Sequence, residues 1–257
     1  MYRFSGTVLV TGASSGIGAA CARAFAAAGA RLVLAARSGD RLESLAAELR
    51  EAHGTEVHLL PLDVRDAGVV TRVLEDLPSG WGEIDVLVNN AGLSRGLEPL
   101  GEGEIRDWEE MIDTNVKGLL YVTRAVLPGM VQRGRGHVVN IGSTAGHEVY
   151  PGGAVYCATK HAVHALTQGM RMDLLGKGVR VSTVDPGMVE TNFSVVRFHG
   201  DRERADRVYQ GMKPLGPEDV ADVVLFVATR PPHVDIDEVV LRPTQQATST
   251  MVDRNEF

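Results

Sequence analysis

A tyrosine and a lysine stand four residues apart in the run YCATK, Tyr156 and Lys160, a spacing that puts both side chains on one face of a helix. A phenol with its ordinary pKa of ~10 is a poor base at neutral pH. An ammonium beside it favours the phenolate, so the pair suits transfer of a proton to and from a hydroxyl. Ser143, in the run IGSTAG, follows an apolar stretch and offers a hydroxyl that can hold a reacting oxygen and stabilise charge developing there. Asn115, in DTNVKG, interrupts a long helical stretch, and a break there could keep a water beside Lys160. Cys157 is turned about 100° from Tyr156 on a helix and is given no reactive role.

A second constellation lies near the N-terminus. Gly12-Ala13-Ser14-Ser15-Gly16-Ile17-Gly18 sits between a strand-like run and an alanine-rich helical one. Such a turn uses one glycine to reverse sharply, one to admit a pyrophosphate to the backbone, and one to pack helix on strand. The helix start then presents free N–H groups and its positive dipole end to phosphates. An adenosine site that selects the 2′-hydroxyl carries an acid about 20 residues on. Here the run is Ala35-Ala36-Arg37-Ser38, which has none. Arg37 offers a planar cation and Ser38 a hydroxyl to a 2′-phosphate, so NADP is expected over NAD. Arg41 follows as a second contact or a solvent-facing charge. Asp63-Val64, and Asn90-Ala91-Gly92 after Asn89, end two further apolar runs and suit the adenine and the ribose.

These residues need a frame, and the sequence supplies it. Short β-branched runs, Thr7–Thr11, Arg31–Ala36, Val57–Leu62, Asp85–Val88, His137–Ile141 and Val179–Val184, are nearly continuous in apolar character, with Glu238–Leu241 as a last strand. Helical stretches over Ser15–Ala28, Asp40–Ala52, Asp66–Leu77, Ile105–Gln132, Ala154–Leu175 and Glu218–Thr229 alternate with them. Strands buried on both faces and alternating with helices predict an α/β Rossmann fold, a doubly wound parallel sheet with helices on both faces. No linker divides residues 1–257, so a single dinucleotide-binding catalytic domain is expected. The 29 glycines among 257 residues, without a repeat, fit many tight turns and close backbone–ligand approaches. A net charge of −7 gives no basic footprint for nucleic acid. No apolar run suits a membrane or a signal peptide. Two cysteines make no disulfide framework, so a reducing, cytoplasmic location is expected. No spacing of His, Asp or Glu points to a metal.

Taken together, TGASSGIG, NNAG, Asn115, Ser143, YCATK and Pro186-Gly187 resemble the short-chain dehydrogenase/reductase family, in order and spacing, over essentially the whole chain. The resemblance implies that Asn115, Ser143, Tyr156 and Lys160 form the catalytic set of an oxidoreductase. It places Pro186-Gly187, Val189 and Thr191 beside the nicotinamide, and implies a mobile lid over about 188–212, a C-terminal tail over about 242–257 and a homotetramer. Lys160 would hold the nicotinamide ribose and, with the ring's positive charge, lower the Tyr156 pKa. The lid run FSVVRFHGD and the tail LRPTQQA resemble a narrower group, the NADP-dependent 3-hydroxy acid (serine or allo-threonine) dehydrogenases. Substrates of that group are small acids with a β-hydroxyl, whose carboxylate needs a cation. Arg197 is the first candidate and Arg95 the second; His147, Tyr150 and Phe193 are candidates to line the pocket, and His161 and His164 read as packing or interface residues. A reductase of another carbonyl compound is the alternative, and a noncatalytic NADP-binding regulator a further one, although a regulator would be expected to have lost Tyr156 or Lys160.

Overall fold

The computed structural model describes residues 3–255. Seven parallel strands form one sheet in the order β3-β2-β1-β4-β5-β6-β7. They are β1 (Thr7–Thr11), β2 (Arg31–Ala36), β3 (Val57–Pro61), β4 (Ile84–Asn89), β5 (Gly136–Ile141), β6 (Val179–Pro186) and β7 (Glu238–Leu241). Period-two alternation sends Val8, Val10, Leu32 and Leu34 into one core and Leu9, Val33 and Leu87 into the other. Both faces are therefore apolar, and helices must cover each. α1 (Gly16–Ala28), α2 (Gly39–His53) and α9 (Pro217–Ala228) cover the first, with Phe25, Leu42, Leu49 and Val224 fully buried. α3 (Ala67–Glu75) and α5 (Leu119–Arg133) contribute Val70, Val122 and Met130 to the second core, and α6 (Ala154–Asp173) packs against β6 and α4 (Ile105–Ile112). Strand order reverses between β1 and β4, which opens a crevice at their carboxyl ends.

Two stretches are not continuous regular elements; the first is interrupted at the break expected around Asn115. The stretch over Ile105–Gln132 is three pieces: α4, a π-helical segment Asp113–Gly118, and α5. The extra residue per turn turns the buried Asn115 side chain out of the ladder, towards the loop after β4. After β6 the chain forms two short helices, α7 (Phe193–Arg197) and α8 (Arg202–Arg207), joined through His199 at φ 53°. This segment crosses the crevice mouth, held by Gly96 N–H donating to the Arg197 carbonyl (2.9 Å). Of the tail over 242–257, the last two residues lie outside those described.

Candidate active site

A cavity of about 710 Å³ opens at the carboxyl ends of β1, β4, β5 and β6. One end is the turn after β1. Gly12, at φ 64°, has no room for a Cβ, which would stand 2.8 Å from Asn90 Nδ2 and 3.0 Å from Ala91 Cα. Gly18 is needed for closeness alone: a Cβ there would meet the Gly12 carbonyl at 2.4 Å. Thr11 Oγ1 accepts from the backbone N–H groups of Asn90 and Ala91 (3.0 Å each), and Asn90 Nδ2 donates to the Thr11 carbonyl (3.0 Å), so the two glycine turns form one rigid wall. Gly12, Ser14, Ser15, Gly16 and Ile17 line the cavity, whereas Ala13 and Gly18 are packed behind it. Beyond β2, Arg37, Ser38 and Arg41 line the same wall, and Arg41 donates to Ser38 Oγ (2.7 Å). No carboxylate stands on that turn. Asp63 and Val64 line the next edge; the Arg65 guanidinium and backbone N–H hold the Asp63 carboxyl below the usual range against the cost of its burial. This fits a dinucleotide with a phosphate on its adenosine ribose: a glycine wall without side chains, then two cations and a hydroxyl.

At the other end α6 presents Tyr156 and Lys160 on one face, as their spacing requires. Lys160 Nζ donates to the Ile141 carbonyl (2.8 Å) and lies 5.9 Å from the Tyr156 ring centre. Burial lowers the Lys160 pKa to about 8, opposed by the negative charge of Asp185. Tyr156 is buried as well. Burial pushes its phenol well above the ordinary value, with Tyr150 adding to the rise. Arg197 and a hydrogen bond with Ser143 act in the opposite direction. In the protein by itself desolvation outweighs Arg197 and the Ser143 hydrogen bond, because the phenolate would be stripped of water. Ser143 stands at the rim after β5, where its Oγ also accepts from the Ala145 N–H (3.1 Å). Asn115 is brought to this end but does not line the cavity. Its Oδ1 accepts from Leu93 N–H (2.8 Å), and its Nδ2 donates to the Leu93 carbonyl (2.8 Å) and Thr159 Oγ1 (3.0 Å). Gly92, Pro186, Gly187, Val189 and Thr191 also line the cavity.

The segment after β6 brings Phe193 and Arg197 over Tyr156. The Arg197 guanidinium lies 5.4 Å from the Tyr156 ring centre and 5.1 Å from that of Phe193, and donates to Tyr150 Oη (3.1 Å). Its Nε is buried without a hydrogen-bond partner. Arg95 is not at the cavity. Its Nε donates to Glu110 (2.8 Å) and its Nη1 to the Val196 carbonyl, because the α4 carboxylate lies nearer than the pocket. His147 does not line the cavity either; it turns towards Asp185 and Glu238. Residues given no role from the sequence also shape the site. Thr159 anchors Asn115, Tyr209 donates to the Val189 carbonyl (2.8 Å), and Gln246 accepts from Met188 N–H (2.8 Å). Thr159 lies in the run YCATK and Gln246 in LRPTQQA, but neither run gave them a role.

The chain matches the short chain dehydrogenase family over residues 6–201 and belongs to that family. It is 49% identical over 241 residues to the NADP-dependent 3-hydroxy acid dehydrogenase YdfG of Salmonella typhi, covering 93% of this chain and 96% of that one. It is 46% identical to sulfoacetaldehyde reductase 2 of Chromohalobacter salexigens, over 98% of this chain and all of the other. Among solved structures, the closed form of a serine dehydrogenase complexed with NADP+ superposes with a TM-score of 0.90 at 46% identity, over 94% and 96% of the two chains.

Proposed function

We propose that the protein is an NADP-dependent dehydrogenase that transfers hydride reversibly between NADP and the β-hydroxyl carbon of small 3-hydroxy acids, of the L-serine, L-allo-threonine or 3-hydroxyisobutyrate type. The observation that carries the anionic substrate is Arg197, which lines the cavity beside Tyr156 and has a buried Nε without a hydrogen-bond partner. When bound, the nicotinamide accepts or returns the hydride. Tyr156 takes the hydroxyl proton in oxidation and gives it back in reduction; Ser143 holds the reacting oxygen. Lys160 holds the nicotinamide ribose and keeps positive charge near the phenol. Asn115 positions Lys160 through α6 and the loop after β4. Arg37, Ser38 and Arg41 select the 2′-phosphate, and the segment 188–212 closes over the substrate. A spectrophotometric panel of hydroxy acids with NADP+ tests this: turnover of L-serine or 3-hydroxyisobutyrate is expected, and activity confined to neutral alcohols would overturn it.

The second reading is a reductase of a small anionic aldehyde. It is favoured by the identity to sulfoacetaldehyde reductase 2, since Arg197 would suit a sulfonate as well as a carboxylate. The same panel run with NADPH and sulfoacetaldehyde separates the two. We place the enzyme in the cytoplasm, where its two free, buried cysteines stay reduced, and as a homotetramer. Among the described residues no helix is long and apolar enough to cross a membrane.

A further inference from the structure

Behind Lys160, away from the cavity, four ligand-type side chains from four elements converge. His147 follows the short 3-10 turn Thr144–Gly146, His164 lies on α6, Asp185 near the end of β6, and Glu238 at the start of β7. Parallel pairing sets Glu238 beside Thr183, so Thr183, Asp185 and Glu238 share one sheet face. Their ligand atoms all lie within 4.8 Å of one another. His147 Nε2 stands 2.9 Å from Asp185 Oδ2 and 3.4 Å from Glu238 Oε1, and His164 Nδ1 stands 3.5 Å from Glu238 Oε2.

Hydrogen bonding alone leaves this group incompletely satisfied. Two carboxylates converge on a single His147 ring nitrogen, and His164 Nδ1 is buried with no hydrogen-bond partner. The outer contacts are already those of ligands. Thr183 Oγ1 donates to the other Asp185 oxygen (2.6 Å), and the Gln168 side-chain amide meets His164 Nε2 at 2.9 Å. Amide orientation is a matter of which end is turned inward; with its oxygen there, Nε2–H donates and the Nδ1 lone pair faces the cluster. A tetrahedral ion with bonds of about 2.0–2.1 Å needs ligand atoms roughly 3.3 Å apart. Three of the separations lie near that value, and the exposed His147 and Glu238 have solvent on their outer sides to move into.

We infer that His147, His164, Asp185 and Glu238 form a binding site for a divalent transition ion, with zinc and cobalt as the fitting cations for two imidazoles and two carboxylates. The ion would tie the turn after β5, α6, β6 and the edge strand β7 together.

Isothermal titration of the chelator-stripped full chain with Zn2+ is expected to show one ion per chain. Co2+ should give the intense visible absorption of a four-coordinate site. His164→Asn and Glu238→Gln should each weaken Zn2+ binding at least about tenfold and remove the cobalt band. Zinc at about a hundredfold excess over its Kd should raise the Tm of the parent by roughly 5 °C, and that of either variant by much less. No saturable binding, equal affinity in parent and both variants, or only the weak spectrum of six-coordinate cobalt would overturn the proposal. Glu238→Gln, on the exposed rim, keeps the test valid should His164→Asn fail to fold.

Discussion

The Arg197 side chain illustrates how one group can serve two ends. Its charge lies over the Tyr156 ring and opposes the rise in that phenol's pKa, while its Nε waits without a partner. A charge-assisted hydrogen bond contributes about 1.5–3 kcal/mol, so Arg197→Ala should raise KM for L-serine roughly 10–100-fold. An unchanged KM in steady-state kinetics would remove the carboxylate role. Tyr156→Phe should lower kcat about 10²–10⁴-fold and leave the Kd for NADP+, measured by titration, nearly as it was. The raised Tyr156 pKa has a definite sign in the pH profile. Oxidation needs the phenolate and should accelerate as pH rises, whereas reduction needs the phenol and should slow. Initial rates in both directions between pH 6 and 10 check this.

Among the elements, the π-helical segment is the piece that joins scaffold to chemistry. It turns Asn115 into three hydrogen bonds that clamp the loop after β4 to α6. Asn115→Ala would leave the buried N–H and carbonyl of Leu93 without partners, a loss of about 2–4 kcal/mol. For a chain of this size that is a fall in Tm of roughly 5–15 °C, read by calorimetry. The turn after β2 is assigned a different property, cofactor choice. Arg37→Asp puts an acid where the 2′-phosphate is expected and should shift the kcat/KM ratio towards NAD; an unchanged ratio would remove the role of Arg37.

At the scale of the whole molecule, stability should depend on pH through His137, inside the sheet on β5. Burial lowers its pKa from 6.5 to about 3, with Arg180 adding to the effect, while Nε2 meets Ser182 Oγ at 2.8 Å. The native state therefore keeps the ring neutral where the unfolded chain protonates it. That stability is complete above pH 6.5 and is lost as the pH falls towards 3, by at most about 1.4 kcal/mol per pH unit. His137→Gln should flatten the fall in Tm between pH 6.5 and 4. Assembly is the other property at this scale. Ile112 and Leu120, at the two ends flanking the π-helical segment, and Met172, near the end of α6, keep apolar side chains exposed. Burying them between copies suits the proposed homotetramer, and light scattering should give the mass of four chains.

Where period and turn chemistry are local, the sequence was sufficient. Continuous apolar runs meant strands covered twice, and Gly12 to Gly18, Asn90 to Gly92, and Tyr156 with Lys160 each carried their own geometric requirement. Hence the strands, most helix bounds, the crevice and the pairing of tyrosine with lysine could be read before any fold was known. Three things depended on distance through space. Arg95 and His147 look as available as Arg197 along the chain, but Glu110 holds one and Asp185 with Glu238 draws away the other. The direction of the Tyr156 pKa depends on how completely water is excluded, which no i, i+4 spacing contains. The four ligand-type residues span positions 147 to 238 and meet only because parallel β6 and β7 pair with α6 packed on them. Sequence alone determined a dinucleotide enzyme of the short-chain type, because its motifs are local; tertiary structure decided which charges line the crevice, because Coulomb and hydrogen-bond energies depend on proximity that only the fold creates.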